Sequence, residues 1–310
     1  MKNFAHLTLR GNYHQTICYD RDDYINFWNR IILSAYDTEV KLLALELLSN
    51  HFHLVVSYES ETLERFKRHL RMSLTHYFNK RYEMHGTLGA RKMVEVRIID
   101  PAEDGGRDLK DVISYTLRNI LRHGLLDDIW KYPWSTIRIP FSTYNTDRLI
   151  SIDDIPSYLA IKYFPGRVNS VPKSFMVSKD GMLHPLPVMD IKTIEDLFRT
   201  KSQYVGFLSM NSDREIRYKE EEQEGRIKME RTGSKSAKRK TITDDEIISY
   251  LTKQTADPSL LEIVTKHNII QMTLEEKKKC IVGLKQAIPY IQCSQLSRIF
   301  GIPWSTVKRC

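Results

Sequence analysis

Cysteine is scarce and scattered: Cys18, Cys280, Cys293 and Cys310 form no C-x-x-C pair in 310 residues. That excludes a disulfide frame and a thiolate zinc cage, and it fits reduced thiols in a cytosolic protein. Long apolar runs are also missing. A membrane span needs ~18–20 uninterrupted apolar residues, and the best stretch, Leu42 to Leu48, carries Glu46 in its middle. The opening MKNFAHLTLRGNYHQ lacks the ~7–15-residue apolar core of a secretory leader. The expectation is therefore a cytoplasmic protein, associated with the nucleoid and with no membrane partner. No internal repeat is present. Acids are in deficit, 39 against 47 Lys and Arg, for a net charge of +8. An excess of that sign favours polyanionic partners, most simply nucleic acid.

What remains is ordinary globular material, 41% hydrophobic and 28% charged, which excludes wholesale disorder. The length suffices for roughly two domains at ~150 residues each. From His6 to about Ser142, short β-like runs alternate with helical ones. Phe4 to Cys18 alternates as a strand or a hairpin around Gly11-Asn12. Asp20 to Ala35 has helical spacing with acids in its first turn. Val40 to Leu48 and His51 to Ser57 read as strands joined through Ser49-Asn50. Leu63 to Phe78 is helical, Met93 to Ile99 is a β-branched run, and Asp108 to Arg122 is a further helix ended by Gly124. The order β, α, β, β, α, β, α predicts an α+β, ferredoxin-like antiparallel sheet covered by helices.

Residues 1–142 are thus expected to form the first domain. Residues 143–217, broken by prolines, make a helical extension without a legible function. Residues 218–240 run from acids to bases as a charged linker or solvated helix. Residues 241–310 make a smaller all-α domain. Within it, Thr243-Asp-Asp-Glu246 and Thr273-Leu-Glu-Glu276 have the form of capping boxes, and Pro289 ends the helix that the second one opens.

Asn50-His51-Phe52-His53 carries the most chemistry. On a strand, alternate side chains share a face, so His51 and His53 point the same way, about 7 Å apart. Two such imidazoles can chelate a divalent ion if a third group completes the site; the plain alternative is two histidines on a solvated face. Tyr115 and Asn119 lie one helical turn apart. Asn119 offers a carbonyl oxygen that Mg²⁺ or Mn²⁺ accepts, and Tyr115 a phenol, although tyrosines in amphipathic helices commonly just pack. No dedicated water-activating carboxylate accompanies the histidines.

Four segments stand in order along the chain: His6-Leu-Thr-Leu-Arg-Gly-Asn12, Asn50-His-Phe-His-Leu-Val-Val56, Tyr115-Thr-Leu-Arg-Asn119 with Arg122-His-Gly-Leu125, and Tyr132-Pro-Trp-Ser135. On these motifs, residues from about 6 to 138 resemble the HUH single-tyrosine transposases, in particular the REP-associated tyrosine transposase branch. The resemblance implies an HUH endonuclease type of fold, His51, His53 and Asn119 as ligands of Mg²⁺ or Mn²⁺, and Tyr115 as nucleophile. Ile120 stands where the family usually has Pro, and Leu117 where it commonly has His. The implied activity is metal-dependent nicking and strand transfer on single-stranded or hairpin DNA through a 5′-phosphotyrosine. Arg65, Lys67, Arg68 and Arg71, interleaved with aromatics on the second helix, suit backbone phosphates.

At 294–309 the chain has the form of a helix-turn-helix and resembles the trihelical DNA-binding ends of many bacterial regulators and transposases. Leu296, Ile299 and Phe300 would pack the first helix, Gly301 the turn, and Ile302 and Val307 the second helix. Ser305, Thr306, Lys308 and Arg309 would face duplex DNA, with Trp304 beside them. Two alternatives stay open: a non-catalytic domesticated transposase, or a helix-turn-helix regulator. A homodimer is compatible with either.

Overall fold

The structure, a computed structural model, describes residues 2–88, 95–102, 105–122, 128–142, 148–165, 168–209, 242–266 and 268–310. The charged stretch at 218–240, the start of the β-branched run at Met93, and His123 to Leu125 lie outside the described residues.

The chain divides into two compact units: Met1–Thr8, Cys18–Ser73 and Val96–Tyr218 in one, and Leu9–Ile17, Leu74–Glu95 and Lys219–Cys310 in the other. The elements begin β1 (Asn3–Arg10), α1 (Arg21–Asp37), β2 (Lys41–Leu47), β3 (His51–Tyr58), α2 (Thr62–Tyr82), β4 (Glu95–Ile99). This is a β-α-β-β-α-β succession, with the strands ordered β2-β3-β1-β4 in a sheet of the first unit. The result is a mixed α+β fold whose small sheet is covered by helices, followed by a C-terminal helical region.

Local chemistry explains these elements. The Asp20 side chain accepts the N–H of Asp23 and opens α1, with Asp22 and Asp23 in its first turn. Of the two readings at the start, a strand or a hairpin, the strand forms: β1 stops at Arg10, and a single 3-10 turn, Asn12–His14, follows in place of a hairpin. The Gln15 N–H folds back onto Asn12 O at 2.6 Å. A Cβ on Gly11 would lie 2.2 Å from Gln15 O, so only glycine admits this closure.

β2 and β3 pair antiparallel, and their register shifts between Leu42 and Ala44. Before the shift Leu42 faces Val56; after it Glu46 faces His53. Without that bulge the same count would set Glu46 opposite Phe52, so one extra residue decides what the carboxylate meets. β2 is an edge strand, and its outer side is covered by irregular chain. Leu47 donates to Trp134 O and Thr136 to Leu45 O, both at 2.9 Å, and Asp190 donates to Leu42 O at 2.8 Å. Tyr132-Pro-Trp-Ser135 therefore serves to shield a sheet edge.

The next elements are α3 (Arg107–Leu117) and α4 (Asn119–Arg122). The continuous helix expected over 108–122 is instead broken at Arg118. In an unbroken helix the Ile120 N–H would bond Thr116 O; here it donates to Glu46 Oε1 at 2.6 Å. Tyr115 and Asn119 accordingly sit on two successive helices.

Between 149 and 209, a stretch without clear periodicity in the sequence, β5 (Leu149–Ser151) and β6 (Met176–Ser178) pair as a two-stranded antiparallel sheet, accompanied by α5 (Ser157–Tyr163), α6 (Ile191–Phe198) and α7 (Lys201–Ser209). They hold to the rest of their unit by buried polar bonds. Trp28 Nε1 donates to Leu183 O at 2.9 Å, Asn29 exchanges two bonds of 2.8 Å with Gly181 and Leu183, and Ser57 Oγ donates to the Asp190 carboxylate at 2.8 Å.

In the second unit, α8 (Asp244–Gln254), α9 (Pro258–Thr265), α10 (Leu274–Ala287), α11 (Cys293–Phe300) and α12 (Trp304–Arg309) enclose their own core. Both expected capping boxes are present, at Thr243/Glu246 and Thr273/Glu276. Ile247, Ile281, Leu284, Leu296, Ile299, Phe300 and Val307 are buried together.

Candidate functional site

β3 carries His51 and His53 on one face, and α3 packs against β2 and β3. The two imidazole centres lie 5.0 Å apart at 81°. Tyr115 stands edge-on to His53, centre to centre 5.5 Å at 83°, and to His6 at 5.7 Å and 82°. Three of the residues singled out in the sequence thus gather in one cluster. A fourth ring, His6 on β1, joins it unannounced.

Each strand histidine has its Nδ1 engaged. His51 Nδ1 donates to Asn50 Oδ1 at 2.6 Å. A carboxamide oxygen only accepts, so the proton is on Nδ1 and the lone pair on Nε2. His53 Nδ1 lies 3.1 Å from His6 Nε2. The His6 and His53 rings are parallel within 8°, with centres 5.2 Å apart. Because the centres are so much farther apart than the bonded nitrogens, those nitrogens lie nearly on the line between them. The rings therefore meet edge to edge in one plane rather than face to face. Full burial holds the His6 pKa down at about 3, helped by the nearby Arg97 guanidinium and opposed by Asp108, so His6 is neutral. Arg97 itself donates to Asp108 at 3.0 Å.

Glu46 is the second residue whose part sequence reasoning missed. Its carboxylate is fully buried, it faces His53 across the β2–β3 pair, and it accepts the Ile120 N–H. That bond sets the chain just beyond Asn119, itself buried, against the same strand. The signal was available as one acid inside the otherwise apolar run from Leu42 to Leu48, a placement that costs several kcal/mol unless the charge is satisfied.

Among the described residues no group of three His, Cys, Asp or Glu is arranged to hold a metal ion. The donor chemistry still fits a divalent ion through Nε2 of the two strand histidines, with Nδ1 of each ring engaged by a neighbouring side chain, as in orienting shells of metal-binding histidines. The third donor must then be of another type, such as the Asn119 carboxamide. Tyr115 is 2% exposed, and His51 and His53 no more than 1%. This conformation keeps the whole cluster from solvent.

The basic helix is less uniform than its sequence suggests. Leu63, Phe66, Leu70, Leu74 and Phe78 form its buried face. Arg68 points to solvent and Arg71 is half-buried. Arg65 donates to Thr38 O at 3.1 Å, and Lys67 pairs with Glu64 at 2.5 Å. In the second unit, the expected turn is present: Gly301 is left-handed at φ +61, and Ser297 Oγ donates to Ile302 O at 2.7 Å. Ser305, Lys308 and Arg309 are exposed, Thr306 is half-buried, and the Lys308 ammonium lies 5.2 Å from the centre of the exposed Trp304 ring.

No protein-family model matches the chain, and no curated protein matches it. Among solved structures, a REP-associated tyrosine transposase bound to a REP hairpin is distantly similar, at 17% identity and a TM-score of 0.34, covering 44% of this chain and 75% of that one. None of the described helices is long and apolar enough to cross a membrane.

Proposed function

We propose that the chain nicks single-stranded or hairpin DNA and transfers the strand through a 5′-phosphotyrosine on Tyr115. The observation that carries this reading is the meeting of the Tyr115, His53 and His51 rings at 5.0–5.5 Å in one cluster. His51, His53 and Asn119 would hold a divalent ion, Mg²⁺ or Mn²⁺, which when bound supplies electrophilic polarisation of a scissile phosphate. The Tyr115 Oη attacks phosphorus in line and gives up its proton to solvent, and the P–O3′ bond breaks as the leaving 3′-oxygen takes up a proton to become a 3′-hydroxyl. The ester on tyrosine conserves the energy of the broken one, so a second 3′-hydroxyl reverses the step and joins strands. Because Tyr115 is buried, the reaction requires its cover to open for the strand. Arg65, Lys67, Arg68 and Arg71 would track the backbone of the bound strand. Ser305, Thr306, Lys308 and Arg309 would engage duplex DNA.

A labelled strand, including hairpin forms, incubated with Mg²⁺ or Mn²⁺ tests this. The expected result is a denaturation-resistant protein–DNA adduct that Tyr115→Phe abolishes while DNA binding persists. Nicking by the Phe variant would overturn the assignment. The burial of Tyr115 favours one second reading, a domesticated transposase or regulator that binds DNA without cutting it. Duplex binding by Ser305, Thr306, Lys308 and Arg309 with no adduct under any metal would select that reading.

A further inference from the structure

We infer that His6 is a positioning residue, whose ring nitrogen Nε2 accepts from His53 and holds His53 as the tautomer protonated on Nδ1. The inference builds on the metal role proposed for His53, and it concerns a contact that the histidine pair itself does not require. The in-plane approach at 3.1 Å with rings 8° apart is the geometry of a directed N–H···N bond. One proton serves that bond. If it sits on His53 Nδ1, the His53 lone pair is on Nε2 and can ligate; if it sits on His6, His53 is protonated on Nε2 and cannot. The neighbouring histidine shows the same device in a version with no choice, since Asn50 Oδ1, 2.6 Å from His51 Nδ1, can only accept. His6 does for His53 what Asn50 does for His51, and both strand rings then offer the same atom. Tyr115, edge-on to His6 and His53 at 5.7 and 5.5 Å, braces the pair in that plane.

The test uses the full chain labelled with ¹⁵N-histidine, metal-free at neutral pH, and reads the His53 tautomer by long-range ¹H–¹⁵N correlation, its signals assigned with His53→Asn. His53 is expected protonated on Nδ1 in the natural sequence. His6→Phe, which keeps a ring but offers no acceptor, should lose that preference, and His6→Gln, whose side-chain oxygen can accept there, should restore it. An Nε2-protonated His53 in the natural sequence, or one unmoved by His6→Phe, overturns the inference. Should His6→Phe fail to fold, the natural spectrum and His6→Gln decide it alone. Manganese titration by electron paramagnetic resonance separates this inference from the function it builds on. Removing such an orienting partner weakens binding about 10- to 100-fold, so His6→Phe should bind Mn²⁺ at least about tenfold more weakly, with recovery in His6→Gln. Absence of Mn²⁺ binding to the natural chain refutes the metal role and leaves the tautomer result to judge His6. Binding of equal strength in all three proteins refutes the positioning role.

Discussion

Asp244→Ala should cripple the helical unit that carries the helix-turn-helix. The Asp244 side chain is 2% exposed at the first residue of α8, and Arg298 on α11, 18% exposed, places Nη2 at 2.7 and 2.8 Å from its two oxygens. Gln295 Nε2 donates to the same carboxylate at 2.8 Å but also reaches Ile242 O at 3.0 Å, so it keeps a partner after the substitution. Arg298 loses its carboxylate while remaining mostly buried. Breaking such a pair costs roughly 3–5 kcal/mol. The residual water access of Arg298 brings the loss to the bottom of that range or just under it, about 2–3 kcal/mol. Because the carboxylate also faces the positive end of α8, some of that loss is a lost helix-terminus interaction. Urea unfolding of the full chain, followed by circular dichroism, measures it. The double variant Asp244→Ala/Arg298→Met removes the stranded cation and should recover much of the loss. An Asp244→Ala protein within ~0.5 kcal/mol of the natural one, or a double variant as unstable as the two single losses added, would refute the account.

Acid should destabilise the first unit through His6. Burial lowers its pKa from 6.5 to about 3, so between those values the unfolded chain binds a proton that the native state refuses. Stability is complete above pH 6.5 and falls as pH drops toward 3. Between pH 6.5 and 4.5 the loss is about 2–3 kcal/mol, and guanidinium unfolding at both values should show a slope that His6→Gln reduces. Gly301→Ala should lower stability by about 1 kcal/mol from its left-handed backbone alone. A further loss comes from displacing Met84, whose Cε would lie 2.1 Å from the new Cβ; calorimetric melting of the variant checks this.

Much of the local structure could be read from residue order. Alternation along a strand puts His51 and His53 on one face whatever the rest of the chain does. Thr243 and Thr273 cap helices because their partners sit three residues away. The amphipathic spacing of Leu63, Phe66 and Leu70 needs only the helical repeat. Even the turn at Gly301 follows from neighbours within a few positions. These features depend on geometry that a short peptide already possesses.

What tertiary structure alone decided is which groups meet. A single bulged residue in β2 sets Glu46 opposite His53 instead of Phe52. Glu46 then takes the N–H of Ile120, 74 positions away, and breaks a helix that spacing predicts to run through. His6 meets His53 across 47 positions because β1 lies beside β3. The burial of Tyr115 likewise comes from packing of α3 on the sheet. Periodicity says which face a side chain occupies; register and the competition for buried hydrogen bonds say what that face touches, and neither is a property of any one segment.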